Sequence, residues 1–329
     1  MLTTVVIVGI IIALAFDFLN GMNDSANSIA TIVSTRVLSP FAAVLWAAFF
    51  NFAAVFIFGT HIADTVGKGI INPDLVNEYF ILAALIGAVI WVYICTKFGL
   101  PISVSHALIG GLIGPALFFY GPSALVSSGI IKIALFIVLS PLIGFVLAYF
   151  IMILTMIVFR RVAPLKVDHW FRYMQLFSSA IFSLGHGGND AQKTMGIITI
   201  LLYTSGALSS TEVPTWVIYA CYITISLGTL TGGWKVIRTL GNGLTDLKPV
   251  QGFCAETAGA FTLMGTALLG IPVSTTHTIT GSIVGVGITR RFSAVRWGTA
   301  SHIVAAWVLS IPAALIVSAL VYWIINFFI

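Results

Sequence analysis

The sequence predicts an all-α polytopic membrane protein, with about ten to twelve transmembrane helices in two inverted-topology repeats and broken helices at the centre. Three observations carry this expectation. The 329 residues are 59% hydrophobic and only 8% charged, with a mean hydropathy of +1.09. The apolar residues gather into ten stretches, most of them near the ~20 residues that a spanning helix needs. A set of motifs in the first half of the chain recurs, in the same order, in the second.

The composition excludes several classes. A soluble domain is about 25% charged, so this chain cannot cover a soluble surface, and a cytosolic enzyme, a secreted domain and a disordered protein are ruled out. The net charge of +5 is spread over short loops and forms no basic face, which argues against a nucleic-acid partner and leaves the lipid bilayer as the surroundings. Cys95, Cys221 and Cys254 lie in apolar runs without a CxxC, a pattern of core packing rather than of a disulfide framework. The N-terminal MLTTVVIVGI has no basic residue ahead of its apolar run, so it reads as a first membrane helix and not as a cleaved signal peptide.

The apolar stretches fall at 3–35, 41–60, 79–97, 101–120 and 123–159, then at 173–205, 214–234, 249–269, 271–289 and 294–328. Between the two sets lies a polar linker, 160–172, so residues 1–159 and 173–329 form the two repeats. The stretches at 123–159 and 294–328 are too long for one upright crossing. Each holds a proline, Pro141 or Pro312, and is either one kinked helix or two passes.

The halves correspond at four places. Gly21-Met22-Asn23-Asp24 matches Gly187-Gly188-Asn189-Asp190 at an offset of 166, and Trp46 matches Trp216 at 170. Gly99-Leu100-Pro101-Ile102-Ser103-Val104-Ser105-His106 matches Gly270-Ile271-Pro272-Val273-Ser274-Thr275-Thr276-His277 at 171, as Pro141 matches Pro312. If the N-terminus is outside and each stretch crosses once, twelve of the fifteen basic residues fall in inside loops, while Asp64, Lys68, Asp74, Glu78 and Glu212 fall outside. Five crossings per half then invert the second repeat, a plan common among secondary transporters.

Charges within apolar stretches point to function, because they are costly in a membrane. Asp24 and Asp190 hold equivalent places in the two halves; Asp17 and Glu256 have no acidic counterpart, and a structural role for them weighs as much. The Gly- and Asn-rich runs 20–24 and 185–190 are turn-forming and predict an interruption of the helix there. Carbonyls, Asn and Asp supply hard oxygen ligands suited to a small cation. In the second motif, proline at the start of a new helix places Ser103 and Ser105, or Ser274, Thr275 and Thr276, at its N-terminus, where free N–H groups and hydroxyls favour an anion. Ordinary helix capping is the plainer reading of one copy; two copies brought to a common centre favour anion binding. His106 and His277 are proton carriers or hydrogen-bonded packing residues, and His186 caps backbone groups.

The same runs carry a family resemblance. GMNDSANSIAT (21–31) with GHGGNDAQKTMG (185–196), and GLPISVSHALIGG (99–111) with GIPVSTTHTITGS (270–282), resemble the paired signatures of the inorganic phosphate transporter (PiT) family. QGFCAETAGA (251–260) fits a further family motif apart from Gln251. The resemblance implies a homodimeric symporter that brings phosphate into the cell, driven by Na⁺ in many members and by H⁺ in others, with elevator-like motion of a transport domain. It also implies a plasma-membrane location. Some relatives carry sulfate. The short 160–172 linker, where eukaryotic members have a large loop, suggests a compact prokaryotic form.

The candidate phosphate ligands are therefore Ser103, Ser105, Ser274, Thr275, Thr276, Asp24, Asp190, Lys193 and Thr194. The candidate Na⁺ ligands are Asn23, Asp24, Asn27, Asn189, Asp190, Ser105 and Thr276, with Glu256, His106 and His277 as accessories. Two carboxylates and an anionic phosphate, offset only by Lys193, call for at least two further positive charges, and neutral oxygen ligands favour Na⁺ over H⁺ as their source. A passive pore lined by the two histidines is the rival of another class. An enzyme is disfavoured by the absence of GxSxG and HExxH motifs.

Overall fold

The computed structural model describes residues 3–72 and 75–328. Asp74, and the side chain of Lys68, lie outside the described residues. Among those residues the chain forms twelve α-helices: α1 (Thr4–Ser34), α2 (Pro40–Ala53), α3 (His61–Lys68), α4 (Glu78–Phe98), α5 (Val104–Pro115), α6 (Ser127–Phe159), α7 (Pro164–Thr204), α8 (Thr215–Thr231), α9 (Trp234–Gly243), α10 (Pro249–Leu268), α11 (Thr275–Ile288) and α12 (Trp297–Phe328). The local sequence sets several ends. Thr3, Ser39 and Asn77 accept hydrogen bonds from the first turns of α1, α2 and α4. Gly99 (φ 74°) and Gly270 (φ 63°) turn the chain back after α4 and α10 in the left-handed region that favours glycine.

Helices α1, α4, α6 and α12 are long and apolar enough to cross a membrane. Helices α2 and α3 form a span bent by 87°, and α8 and α9 one bent by 75°. Helices α7, 41 residues, and α10, 20 residues, are long enough but carry buried polar side chains. Helix α6 buries one stripe, Ile133, Ser140, Gly144, Ala148 and Met152, and exposes Leu142, Phe150 and Leu154. Helix α12 buries Ser310, Ala314 and Ser318 and exposes Val308, Leu309 and Trp323. Such broad apolar exposure on helices of this length belongs against lipid.

Small residues let the inner helices touch backbone to backbone. A Cβ on Gly110 or Gly114 of α5 would lie 2.4 or 2.3 Å from carbonyl oxygens of Ile311 and Leu315 in α12. A Cβ on Gly281 or Gly285 of α11 would lie 2.1 or 2.4 Å from those of Pro141 and Phe145 in α6. The first hairpin, α4–α5, thus closes on the last helix of the second half, and the second, α10–α11, on the last helix of the first.

Four expectations change, and one open alternative is decided. The runs 20–24 and 185–190 do not interrupt a helix: both are helical, within α1 and α7. Their glycines serve packing. A Cβ on Gly21 would lie 2.1 Å from the Ile225 carbonyl oxygen of α8, and one on Gly187 would lie 2.5 Å from that of Asn51 in α2. A helical glycine costs only about 1 kcal/mol relative to alanine, and close helix packing outweighs that. The non-helical backbone lies instead at 99–103 and 270–274. Pro101 and Pro272 sit in these stretches, ahead of the caps Ser103 and Ser274, and not at the first helical position. The stretches at 123–159 and 294–328 each hold one continuous helix with its proline inside. Of the linker 160–172, residues 164–172 are the first turns of α7. Helices α3 and α9 were not anticipated. Each is short, and Asp64 or Lys235 and Arg238 make it too polar to register as an apolar stretch.

Candidate functional site

Asp24, near the middle of α1, and Asp190, in α7, meet at the tips of the two hairpins. Thr275 ties them together: its Oγ1 lies 3.3 Å from Asp24 Oδ2 and 3.1 Å from Asp190 Oδ2. Thr276 Oγ1 lies 3.4 Å from Asp24 Oδ1. The Asn27 amide donates to both threonine hydroxyls, at 3.1 and 3.0 Å. One turn beyond Asp190, the Lys193 ammonium donates to the Asp190 carboxylate, to Ser105 Oγ at 2.6 Å and to the Val273 carbonyl at 2.8 Å. One side chain therefore bonds both hairpin tips, which places the starts of α5 and α11 at a common centre. Asp24, Asp190 and Lys193 are each at most 3% exposed, so the centre is shut off from water.

The hydroxyl motif is divided in role. Ser103 and Ser274 cap their own helices, accepting from the His106 and His277 amides at 3.2 and 3.3 Å. Ser105, Thr275 and Thr276 turn into the centre. Two helix N-termini, their hydroxyls and an ammonium can hold an anion there. The neighbouring oxygens suit a hard cation. Asn23 Oδ1 and Asn27 Oδ1 are buried without a hydrogen-bond partner, and an orphaned buried acceptor beside a carboxylate is what a small cation would satisfy.

Other candidates stand elsewhere. The Thr194 hydroxyl donates to Asp17 at 2.8 Å. The Asn189 amide donates to the Gly185 and Leu263 carbonyls, at 3.2 and 3.0 Å, which directs it towards α10. Glu256 forms a separate buried cluster in which Thr31, Ser178 and Gln175 donate to it at 2.6, 2.5 and 2.9 Å. His106 and His277 meet edge to face, ring centroids 4.6 Å apart, with Trp307 stacked on His277. Their Nδ1 atoms lie 3.3 and 3.2 Å from the Trp307 and Ile137 carbonyls. Both rings are buried. The three cysteines are free and buried.

Sequence reasoning missed the partners that complete the site. His186 Nε2 lies 3.3 Å from Asp190 Oδ2, while its Nδ1 lies 3.1 Å from Asn51 Oδ1. Asn51 in turn donates to Thr229 at 2.9 Å, and Asn23 to Thr96 at 2.8 Å. Asn51, an amide in the middle of an apolar stretch, was the available signal.

The arrangement has relatives. Residues 20–318 match the family described as the phosphate transporter family. The chain is 57% identical over 319 residues to a probable low-affinity inorganic phosphate transporter of Rhizobium meliloti, covering 96% of each chain. It is 42% identical over 320 residues to one of Bacillus subtilis, again covering 96% of each. A solved structure, the sodium-dependent phosphate transporter, superposes with a TM-score of 0.93 at 27% identity, over 99% of this chain and 100% of that one. A match over nearly the whole chain, together with relatives this similar from end to end, shows that this integral membrane protein belongs to the phosphate transporter family and is a transporter, not an enzyme.

Proposed function

We propose that the chain imports inorganic phosphate across the plasma membrane by symport with Na⁺, at least two ions per phosphate. The observation that carries this reading is the convergence of both hairpin tips on the buried Asp24–Asp190 pair: Ser105, Thr275 and Thr276 face an anion beside the Lys193 charge, while Asp24 and the unpartnered Asn23 and Asn27 oxygens face a cation. Phosphate between two carboxylates is repelled unless cations accompany it. The likeness to a sodium-dependent phosphate transporter favours Na⁺ over H⁺.

The matched hairpin contacts, α5 on α12 and α11 on α6, support two inverted repeats over 1–159 and 173–329, and the gathering of basic residues in the loops of one side supports an N-terminus outside. An occluded centre fits elevator-like alternating access, and the apolar outer faces of α6 and α12 fit lipid and the partner of a homodimer. Calorimetry of phosphate binding to the purified protein in sodium and in choline buffer tests the coupling. Na⁺ should tighten phosphate and phosphate should tighten Na⁺ by the same factor. Equal phosphate affinity in both buffers, with pH as the sole lever, identifies H⁺ as the coupling ion; tighter binding of sulfate than of phosphate overturns the substrate.

A further inference from the structure

The two halves place different side chains at one position. Counting from the matched aspartates, Asn27 in α1 corresponds to Lys193 in α7, at the same offset of 166. Each lies one helical turn beyond its Asp and reaches across to a matched hairpin hydroxyl: Asn27 to Thr276, Lys193 to Ser105, themselves matched at 171. We infer that the Lys193 ammonium permanently fills, in the second half, the cation position that Asn27 leaves open in the first. The inference rests on the reading that cations bind at this pair.

The chemistry of the two positions is opposite. Around Lys193 Nζ stand a carboxylate, a hydroxyl and a backbone carbonyl, the oxygen types that Na⁺ takes. An ammonium has three donors and no acceptor, and all three are used here. Thr275 donates to the other Asp190 oxygen, and His186 Nε2 stands 3.3 Å from it. A second cation would meet a fixed positive charge at contact distance in a buried site. Asp24 receives only two hydroxyl contacts, at 3.3 and 3.4 Å, and the Asn27 oxygen, at the position Lys193 holds in the second half, has no partner. The pair therefore holds one exchangeable cation, and any further Na⁺ carried with phosphate binds outside it.

The test counts Na⁺. Radiolabelled Na⁺ bound per protomer is measured on the purified full-length protein at saturating inorganic phosphate. Lys193→Asn, which copies the first half into the second, should bind one Na⁺ more than wild type. Lys193→Met, which removes the charge but offers no oxygen, should not gain one. Asn27→Lys, the reverse exchange, should bind one fewer. A soluble, monodisperse Lys193→Asn protein with the wild-type count overturns the inference. If that variant does not fold, Asn27→Lys decides: retention of the wild-type count overturns it and loss of one supports it. Wild-type protein that binds no Na⁺ overturns the sodium reading instead, and a Na⁺ gained by Lys193→Asn still supports the inference.

Discussion

The surroundings of Asp24 and Asp190 start from one sequence pattern and end in different electrostatics. Asp190 sits in a closed network, with Lys193, Thr275 and His186 all directed at it. Asp24 sits in an open one, met by two threonine hydroxyls, with the unpartnered Asn27 oxygen where the other half has an ammonium. The difference in fixed charge comes down to Lys193 against Asn27. It teaches that a repeated motif need not mean a repeated site, because one half carries its own positive charge and the other does not.

The largest expected effect separates the two aspartates. Asp190→Asn strands the buried Lys193 ammonium, and breaking a buried ion pair by removing one partner costs about 3–5 kcal/mol. Asp24→Asn removes a carboxylate with no fixed partner of opposite charge. Thermal unfolding of the purified proteins should show a large loss for Asp190→Asn and a small one for Asp24→Asn, while Na⁺-driven uptake should be lost in both. Equal unfolding temperatures would erase the proposed asymmetry.

Next come the tip hydroxyls. Ser105→Ala and Thr276→Ala each remove a group facing the centre, and a lost hydrogen bond to a charged group costs about 1.5–3 kcal/mol, or roughly ten- to a hundred-fold in affinity. Both should raise the phosphate KM in uptake assays. Only Thr276→Ala, which contacts Asp24 and Asn27, should also raise the Na⁺ concentration for half-maximal uptake. A Na⁺ shift in Ser105→Ala as large as in Thr276→Ala would contradict the assignment of the open position to the first half.

Smaller again is the helix crossing beneath each aspartate. Gly21→Ala places a methyl 2.1 Å from the Ile225 carbonyl oxygen, and Gly187→Ala one 2.5 Å from that of Asn51. Overpacking of this kind costs about 1–3 kcal/mol, so both should unfold at lower temperature, Gly21→Ala more so. The smallest effect belongs to the caps. Ser103→Ala and Ser274→Ala should lose about 1 kcal/mol of stability each and leave the phosphate KM within about two-fold of wild type; a ten-fold rise would move these serines from capping to binding.

The membrane class, the two sets of helices and most residues of the centre were legible in the sequence. Charge scarcity and apolar length declare a spanning chain, and the matched Asn-Asp and Pro-x-Ser motifs point to the residues that Lys193 and Thr275 gather. What failed was local. Gly21, Gly187 and their neighbouring asparagines look like turn formers only if nothing packs on them. Against α8 and α2 the glycines become contact points, and the amides find Thr96, Thr275 and Thr276. Thr194 faces Asp17, and Glu256 gathers its own three donors, because which side of a buried helix a polar residue faces depends on tertiary neighbours that periodicity does not reveal. The polar turns of α3 and α9 escaped for a related reason: bending a span leaves its second part too short and too charged to be recognised by hydropathy.

The central claim is that Na⁺ bound at the open half of the Asp24–Asp190 centre drives phosphate entry. Radiolabelled phosphate uptake into proteoliposomes, with Na⁺ and pH gradients imposed separately, addresses it most directly. An inward Na⁺ gradient at equal pH should accumulate phosphate above its external concentration, and Asp24→Asn should abolish that accumulation. Accumulation driven by a pH gradient without Na⁺, or a Na⁺ response that survives Asp24→Asn, would contradict it.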